Sequence, residues 1–246
     1  VLSLPGKRLR PILVLECCRV AGGEAQNAWP AALAIEFVHT FSLIHDDLPA
    51  MDDDDLRRGQ PTCHRVFGEG LAILAGDWLL AHAFELLTDQ PPALLATLAA
   101  GTADMISGQA ADLEGERQVP NLDLVRYIHE QKTARLIESA CLLGGLAARA
   151  DRAVLGALGR YGRHLGLAFQ IVDDLLDATG STPATGKRVG RDAARFKQTY
   201  PAVLGAGQSR VLAEREAQQA VAALEPLRER AERLCGLAEY VLSRDR

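Results

Sequence analysis

The sequence predicts an all-α fold in a single domain, on three observations. Leu and Ala dominate the chain, aromatic residues make up only 5% of it, and strand-like alternation of Val, Ile, Thr and Tyr is scarce, so helical periodicity fits nearly every segment. With 246 residues, 48% hydrophobic and 24% charged, the chain is long enough for one sizeable core. Pro and Gly fall at Pro5-Gly6, Gly22-Gly23, Gly59 to Pro61, Pro91-Pro92, Gly115 to Pro120 and Gly180 to Gly190, with apolar helical runs between them. These read as turns within one bundle spanning residues 1–246, not as domain linkers.

A formal net charge of -5 argues against nucleic acid as the main partner, because binders of the phosphate backbone carry a basic face. Cys17, Cys18, Cys63, Cys141 and Cys235 have neither zinc-ligand spacing nor the even count of a closed disulfide framework, so reduced thiols and a cytoplasmic location are expected. No run reaches the length of a membrane span, and Val1 to Arg10 lacks the charged-then-apolar order of a signal peptide. No membrane insertion is expected.

One chemical theme occurs twice. From Ala31 to Leu48 a mostly apolar helix, interrupted by Glu36, delivers Asp46-Asp47 and then Asp52 to Asp55, with Arg57-Arg58 directly after. Ile35, His39, Ser42 and Asp46 follow helical spacing and share one face. The second run, Leu165 to Leu176, leads to Asp173, Asp174 and Asp177, and Gln170 falls on the same side. Carboxylates at a helix C-terminus oppose the helix dipole at a cost of a few tenths to ~1 kcal/mol, so a cation should compensate them. Oxygen-only ligand sets suit a hard ion, and magnesium typically takes one or two carboxylates together with substrate phosphates. Alone, Asp52 to Asp55 reads as a solvated acidic loop. The repetition of the theme behind two apolar helices points instead to ion-bridged diphosphate. The first cluster lacks the Gly and Glu of an EF-hand loop, which excludes that reading.

Cations capable of gripping such a ligand are spread along the chain: Lys7, Arg8 and Arg10 beside Pro11, then Arg57-Arg58, Lys132 and Lys187-Arg188. Arg binds phosphate oxygens bidentately and Lys acts as a point charge. No Ser-His-Asp or Cys-His arrangement offers an activated nucleophile.

Asp46-Asp47-Leu48-Pro49-Ala50-Met51-Asp52 through Arg57-Arg58-Gly59 resembles the first aspartate-rich motif of the trans-isoprenyl diphosphate synthases (polyprenyl synthetases), with the two-residue insert common in bacteria. Phe169 to Asp177 resembles the second motif and Gly6-Lys7-Arg8-Leu9-Arg10-Pro11 the entry motif, while Gly108-Gln109, Asp112-Leu113 and Lys132-Thr133 match in order. The resemblance covers nearly the whole chain, but the family's helix before the Lys7 motif has no counterpart, so a leading N-terminal helix is expected to be missing. Gly190-Arg191-Asp192 stands where Gly-Lys-Asp is usual.

The resemblance implies the isoprenoid synthase fold, roughly ten or more helices around a deep central pocket, and a homodimer. It implies three magnesium ions, two held by Asp46, Asp52 and Asp47 on the allylic diphosphate and a third served by Asp173 with Asp174 and Asp177 nearby. Arg57, Lys132 and Lys187 would contact that diphosphate, and Lys7, Arg10, His39 and Arg58 would bind isopentenyl diphosphate. Thr133 and Gln170, beside Lys132, would steady the allylic cation. Phe41 and Ser42, five and four positions before the first motif, would set pocket depth. The bulky Phe41 points to a farnesyl product, with geranylgeranyl the main competitor. Rival readings are a class I terpene cyclase, disfavoured by the repeated aspartates, a catalytically silent subunit of a heteromeric synthase, and a structural bundle with coincidental acids.

Overall fold

The computed structural model describes residues 6–116, 118–179 and 197–243. Ten α-helices are present among them: α1 (Leu9–Val20), α2 (Ala25–Asp46), α3 (Cys63–Phe67), α4 (Glu69–Glu85), α5 (Pro92–Gly115), α6 (Leu122–Ile128), α7 (Arg135–Ala147), α8 (Arg152–Thr179), α9 (Tyr200–Ala223) and α10 (Glu232–Ser243). The expected all-α class and helix number are found. The exception is a minimal antiparallel ribbon, β1 (Leu56–Arg57) with β2 (Gln60–Pro61). Its turn places Arg58 and Gly59 at φ 52° and 75°, the consecutive positive angles that suit the twist of a two-residue hairpin. The sequence marks this point only as a turn because strands of two residues show no alternation.

Why α2 ends where it does explains the first acidic cluster. The backbone N–H groups of Asp52 and Asp54 fold back onto the carbonyl oxygens of Asp46 and Asp47 at 2.8 and 3.1 Å, satisfying acceptors that a helix end leaves open. The acidic loop is thereby the cap of its own helix. The second cluster lies inside α8, which starts earlier than its apolar core run and continues to Thr179.

Between α6 and α7 the chain does not break but widens into a π-helical segment, His129–Ala134. Such insertions shift the side-chain phase of a helix and occur often at functional sites. This one carries Lys132 and Thr133. α5 lies tight against it, since a Cβ on Gly108 would overlap the Lys132 backbone.

The core is drawn from every long helix, with Leu13, Ile35, Leu98, Leu136, Leu158 and Leu165 almost wholly buried. α2, α4, α5, the π segment and α8 surround a cavity of about 760 Å³, which the acidic loop and Lys197, just ahead of α9, also line. Tyr161 on α8 fastens α10 through its hydroxyl, which donates to the Leu234 carbonyl at 2.7 Å.

Two glycines should separate contact from propensity. A Cβ on Gly144 in α7 would run into the Val14 carbonyl of α1, so Gly144→Ala should destabilise the fold by about 1–3 kcal/mol. Gly236 in α10 has open space around it, so Gly236→Ala should stabilise by about 0.5–1 kcal/mol. Urea unfolding of both variants measures the contrast.

Candidate active site

Charged and polar side chains line part of the cavity and apolar ones the rest. Asp46 from the end of α2 and Asp52 from the acidic loop line it, and so do Asp173, Asp174 and Asp177 from α8. Lys132 enters from the π segment and Arg57 from β1. Phe41, Leu80, Met105, Leu113, Phe169 and Leu176 form much of the apolar lining.

The neighbouring aspartates do not play equal parts. Asp46 faces the cavity, and its pKa is raised because burial penalises its charge, with Lys132 opposing and Asp52 reinforcing the shift. Asp47 departs from the sequence expectation of a metal ligand. It is fully buried, and both its oxygens accept from Arg57 Nε, at 2.7 and 2.8 Å, while Arg57 Nη2 lies 2.6 Å from Oδ1. That carboxylate is committed to a bidentate ion pair because adjacent helix positions point about a quarter turn apart.

Asp174 is likewise drawn into the protein. Its Oδ1 accepts from Gln170 Nε2 at 3.0 Å, and its Oδ2 accepts from the Tyr200 backbone N–H at 3.3 Å and lies 3.3 Å from His129 Nε2. Because the Gln170 amide nitrogen is turned to this carboxylate, its Oε1 faces the other way and accepts from the Thr133 hydroxyl at 2.7 Å. The Thr133 and Gln170 oxygens are thus held side by side at the cavity wall.

Two lysines share one buried acid. Lys132 Nζ lies 2.5 Å and Lys197 Nζ 3.5 Å from Asp112 Oδ2, and Lys197 also reaches Asp52 Oδ1 at 3.3 Å. Burial alone would raise the Asp112 pKa, but the two ammonium groups overcome it and the net shift is downward. Sequence reasoning missed Lys197 as a site residue. Its signal was faint: a lysine two residues before Thr199, whose hydroxyl caps α9 through the Ala202 N–H at 3.3 Å. Gln109 also lines the cavity, and both polar atoms of its buried amide lack a hydrogen-bond partner among the described residues.

At the mouth near α1 the charge is positive. Burial pushes the His39 pKa well below its usual 6.5, and Arg10, Arg58, Arg57 and Arg8 push it further. The Arg10 guanidinium is lowered to about 10, first by desolvation, with Glu36 and Asp173 opposing. Arg8 pairs with Glu36, the charge that interrupts the apolar run of α2. Arg58 lies against Gly6, bringing the hairpin onto the entry motif. A neutral imidazole among four guanidinium groups makes a strong anion receptor. Lys7 is exposed at this edge, and neither it nor Arg58 lines the cavity itself. Phe41 and Ser42 do line it. Lys187 and Arg191 lie outside the described residues.

Among the described residues no three His, Cys, Asp or Glu side chains converge into a complete metal cage. The donors present are carboxylates on two different elements, so an ion bound to either would complete its shell with further oxygens, as magnesium does with water and phosphate. The residues therefore fit magnesium.

Helices that close around an apolar cavity edged by carboxylates and arginines define an isoprenoid synthase, and comparison with known proteins agrees. The profile of the polyprenyl synthetase family matches residues 1–233. The farnesyl diphosphate synthase of Geobacillus stearothermophilus is 48% identical over 214 residues, which cover 82% of this chain and 72% of that protein. Putative geranylgeranyl pyrophosphate synthase 8, chloroplastic, of Arabidopsis thaliana is 43% identical across 98% of this chain and 71% of its own length. The crystal structure of geranyltransferase from Helicobacter pylori complexed with magnesium and isoprenyl diphosphate superposes with a TM-score of 0.83 at 33% identity, over 97% of this chain and 83% of that one. The chain belongs to the polyprenyl synthetase family, and by that membership it is a prenyltransferase.

His39 and His129 give the fold a signed pH dependence. Burial is the first cause of both depressions, and it carries His129 down to about 3. Both rings stay neutral in the folded chain, whereas the unfolded chain protonates them near 6.5, so stability falls as the pH drops through that value. Urea midpoints should fall from about pH 7.5 to about pH 5.5, and less steeply in His39→Asn. Equal slopes in the two proteins would remove His39 as a source.

Proposed function

We propose that the chain is a magnesium-dependent short-chain trans-prenyltransferase that condenses isopentenyl diphosphate with dimethylallyl and then geranyl diphosphate, releasing diphosphate and giving farnesyl diphosphate. The observation that carries the reading is one cavity lined both by carboxylates from α2, its loop and α8 and by Phe41 among its apolar residues. The relatives divide between farnesyl and geranylgeranyl synthases, so product length is a property of this chain's own residues.

Asp46, Asp52, Asp173 and Asp177 would hold magnesium, three ions in all, with Asp174 orienting Gln170 and Asp47 orienting Arg57. Magnesium supplies neutralisation of diphosphate charge. Arg57, Lys132, Lys197 and Lys187 bind the allylic diphosphate directly, and Arg10, His39, Arg58 and Lys7 receive isopentenyl diphosphate. As the allylic C–O bond breaks, both its electrons leave with diphosphate, where the lysine and arginine charges stabilise them. The Thr133 and Gln170 oxygens present negative dipole ends to the allylic cation. The double bond of isopentenyl diphosphate attacks that cation, and the adduct loses its proton to the departing diphosphate. The apolar walls exclude water, which would otherwise quench the cation to an alcohol.

A second copy of the chain is the proposed partner. Leu71, Leu74 and Trp78 follow helical spacing along α4 and are exposed, as are Trp29 and Leu33 on α2, which packs against α4. The five cysteines are free thiols, which suits the cytoplasm. Among the described residues no helix is long and apolar enough to cross a membrane.

Incubation with magnesium, isopentenyl diphosphate and either dimethylallyl or geranyl diphosphate should yield farnesol after dephosphorylation, and chelation by EDTA should abolish turnover reversibly. Phe41→Ala should lengthen the main product to geranylgeraniol, and an unchanged product would remove Phe41 as the floor. Absence of elongation by the purified protein from any primer would favour the silent-subunit reading. Trp78→Asp with Leu74→Asp should shift sedimentation from dimer to monomer, whereas an unchanged coefficient would move the interface elsewhere.

A further inference from the structure

We infer that pocket depth is set by a pair of rings, with His45, seated against α4, bracing Phe41 and thereby acting as a second residue that decides product length. The inference rests on the chain-elongation reading of the cavity given above.

Phe41 and His45 stand one helical turn apart on α2 and meet nearly edge-on, with ring centroids 5.7 Å apart at 83°. The imidazole is seated against α4. Its Nε2–H donates to the Ile73 carbonyl at 3.0 Å, and Asp77 Oδ1 lies 3.9 Å from the same nitrogen. The seat exists because residue 76 is glycine, for a Cβ there would overlap His45 Nε2 and Cδ2. Phe41, which is only 5% exposed, therefore leans on a ring that is itself fixed to a different helix. This arrangement restricts the tilt of Phe41 in a way that its own rotamer preference would not.

His45, Asp77 and Leu80 belong to the lining of the same cavity. His45 lies one turn nearer Asp46 than Phe41 does, so it acts on a growing alkyl chain through the position in which it holds the Phe41 ring. A Phe41 ring held in this way opposes a fourth isoprene unit sterically. A phenylalanine at position 41 without its support could swing aside.

The product ratio tests this independently of rate, since His45 precedes Asp46 and its replacement can slow turnover. With geranyl diphosphate as primer and excess enzyme, His45→Ala should raise the geranylgeraniol-to-farnesol ratio by about tenfold, the scale at which an apolar pocket discriminates by one methylene or more. His45→Phe restores the ring's bulk and should return the ratio toward that of the parent. Asp77→Leu, at an exposed position, removes the carboxylate 3.9 Å from His45 Nε2 and loosens the seat of that ring, so it should raise the ratio in the same direction and decides in place of His45→Ala if that variant does not fold. A ratio unchanged in His45→Ala, while Phe41→Ala lengthens the product, would overturn the two-ring inference and leave the Phe41 floor standing. A ratio unchanged in both would overturn the floor as well.

Discussion

A guanidinium and a carboxylate almost without access to water, Arg57 and Asp47, hold together the end of α2, the acidic loop and the hairpin. Truncating one partner of such a pair leaves an uncompensated charge and costs about 3–5 kcal/mol. Much of the site depends on the pair being made. With Asp47 turned inward, Asp46 projects into the cavity, and the loop folds back so that Asp52 joins it. With Arg57 anchored, the next residue takes the left-handed turn that sends Arg58 to the entry motif at Gly6.

The same logic, one charged group held by protein so that its neighbour can face the cavity, recurs around the site. Asp174 is occupied by Gln170, Tyr200 and His129, while Asp173 and Asp177 also line the cavity. Asp112 gathers Lys132 and Lys197 and so fixes two cations near Asp52. Fixed charges cost no reorganisation when a diphosphate departs, and a site of low dielectric makes each of them stronger than it would be in water. The apolar walls that give this dielectric are also those proposed to measure the product.

The helices and both aspartate clusters were legible in the sequence because their spacing is helical and their chemistry is local. Which member of each adjacent pair faces inward was not, since Asp47 is claimed by Arg57 across the loop and Asp174 by a backbone N–H at the start of α9. The π-helical phase of Lys132 and Thr133 has no pattern in residue type, and the two-residue strands are too short to show one. Glu36 read as a break in an apolar helix and proved to be the partner of Arg8, a contact between residues in different elements. Lys197 gathers its meaning from Asp52 and Asp112, both far away along the chain.

The central claim is that carboxylates from α2 and α8 act on one diphosphate through magnesium. Isothermal titration calorimetry with a non-reactive thiolodiphosphate analogue of geranyl diphosphate tests it most directly, with and without magnesium, on the parent protein and on Asp46→Asn and Asp173→Asn. The account predicts tight binding only with magnesium, and marked weakening by either substitution alone although the two lie on different helices. Binding that persists without magnesium, or that survives the loss of Asp173, would contradict it.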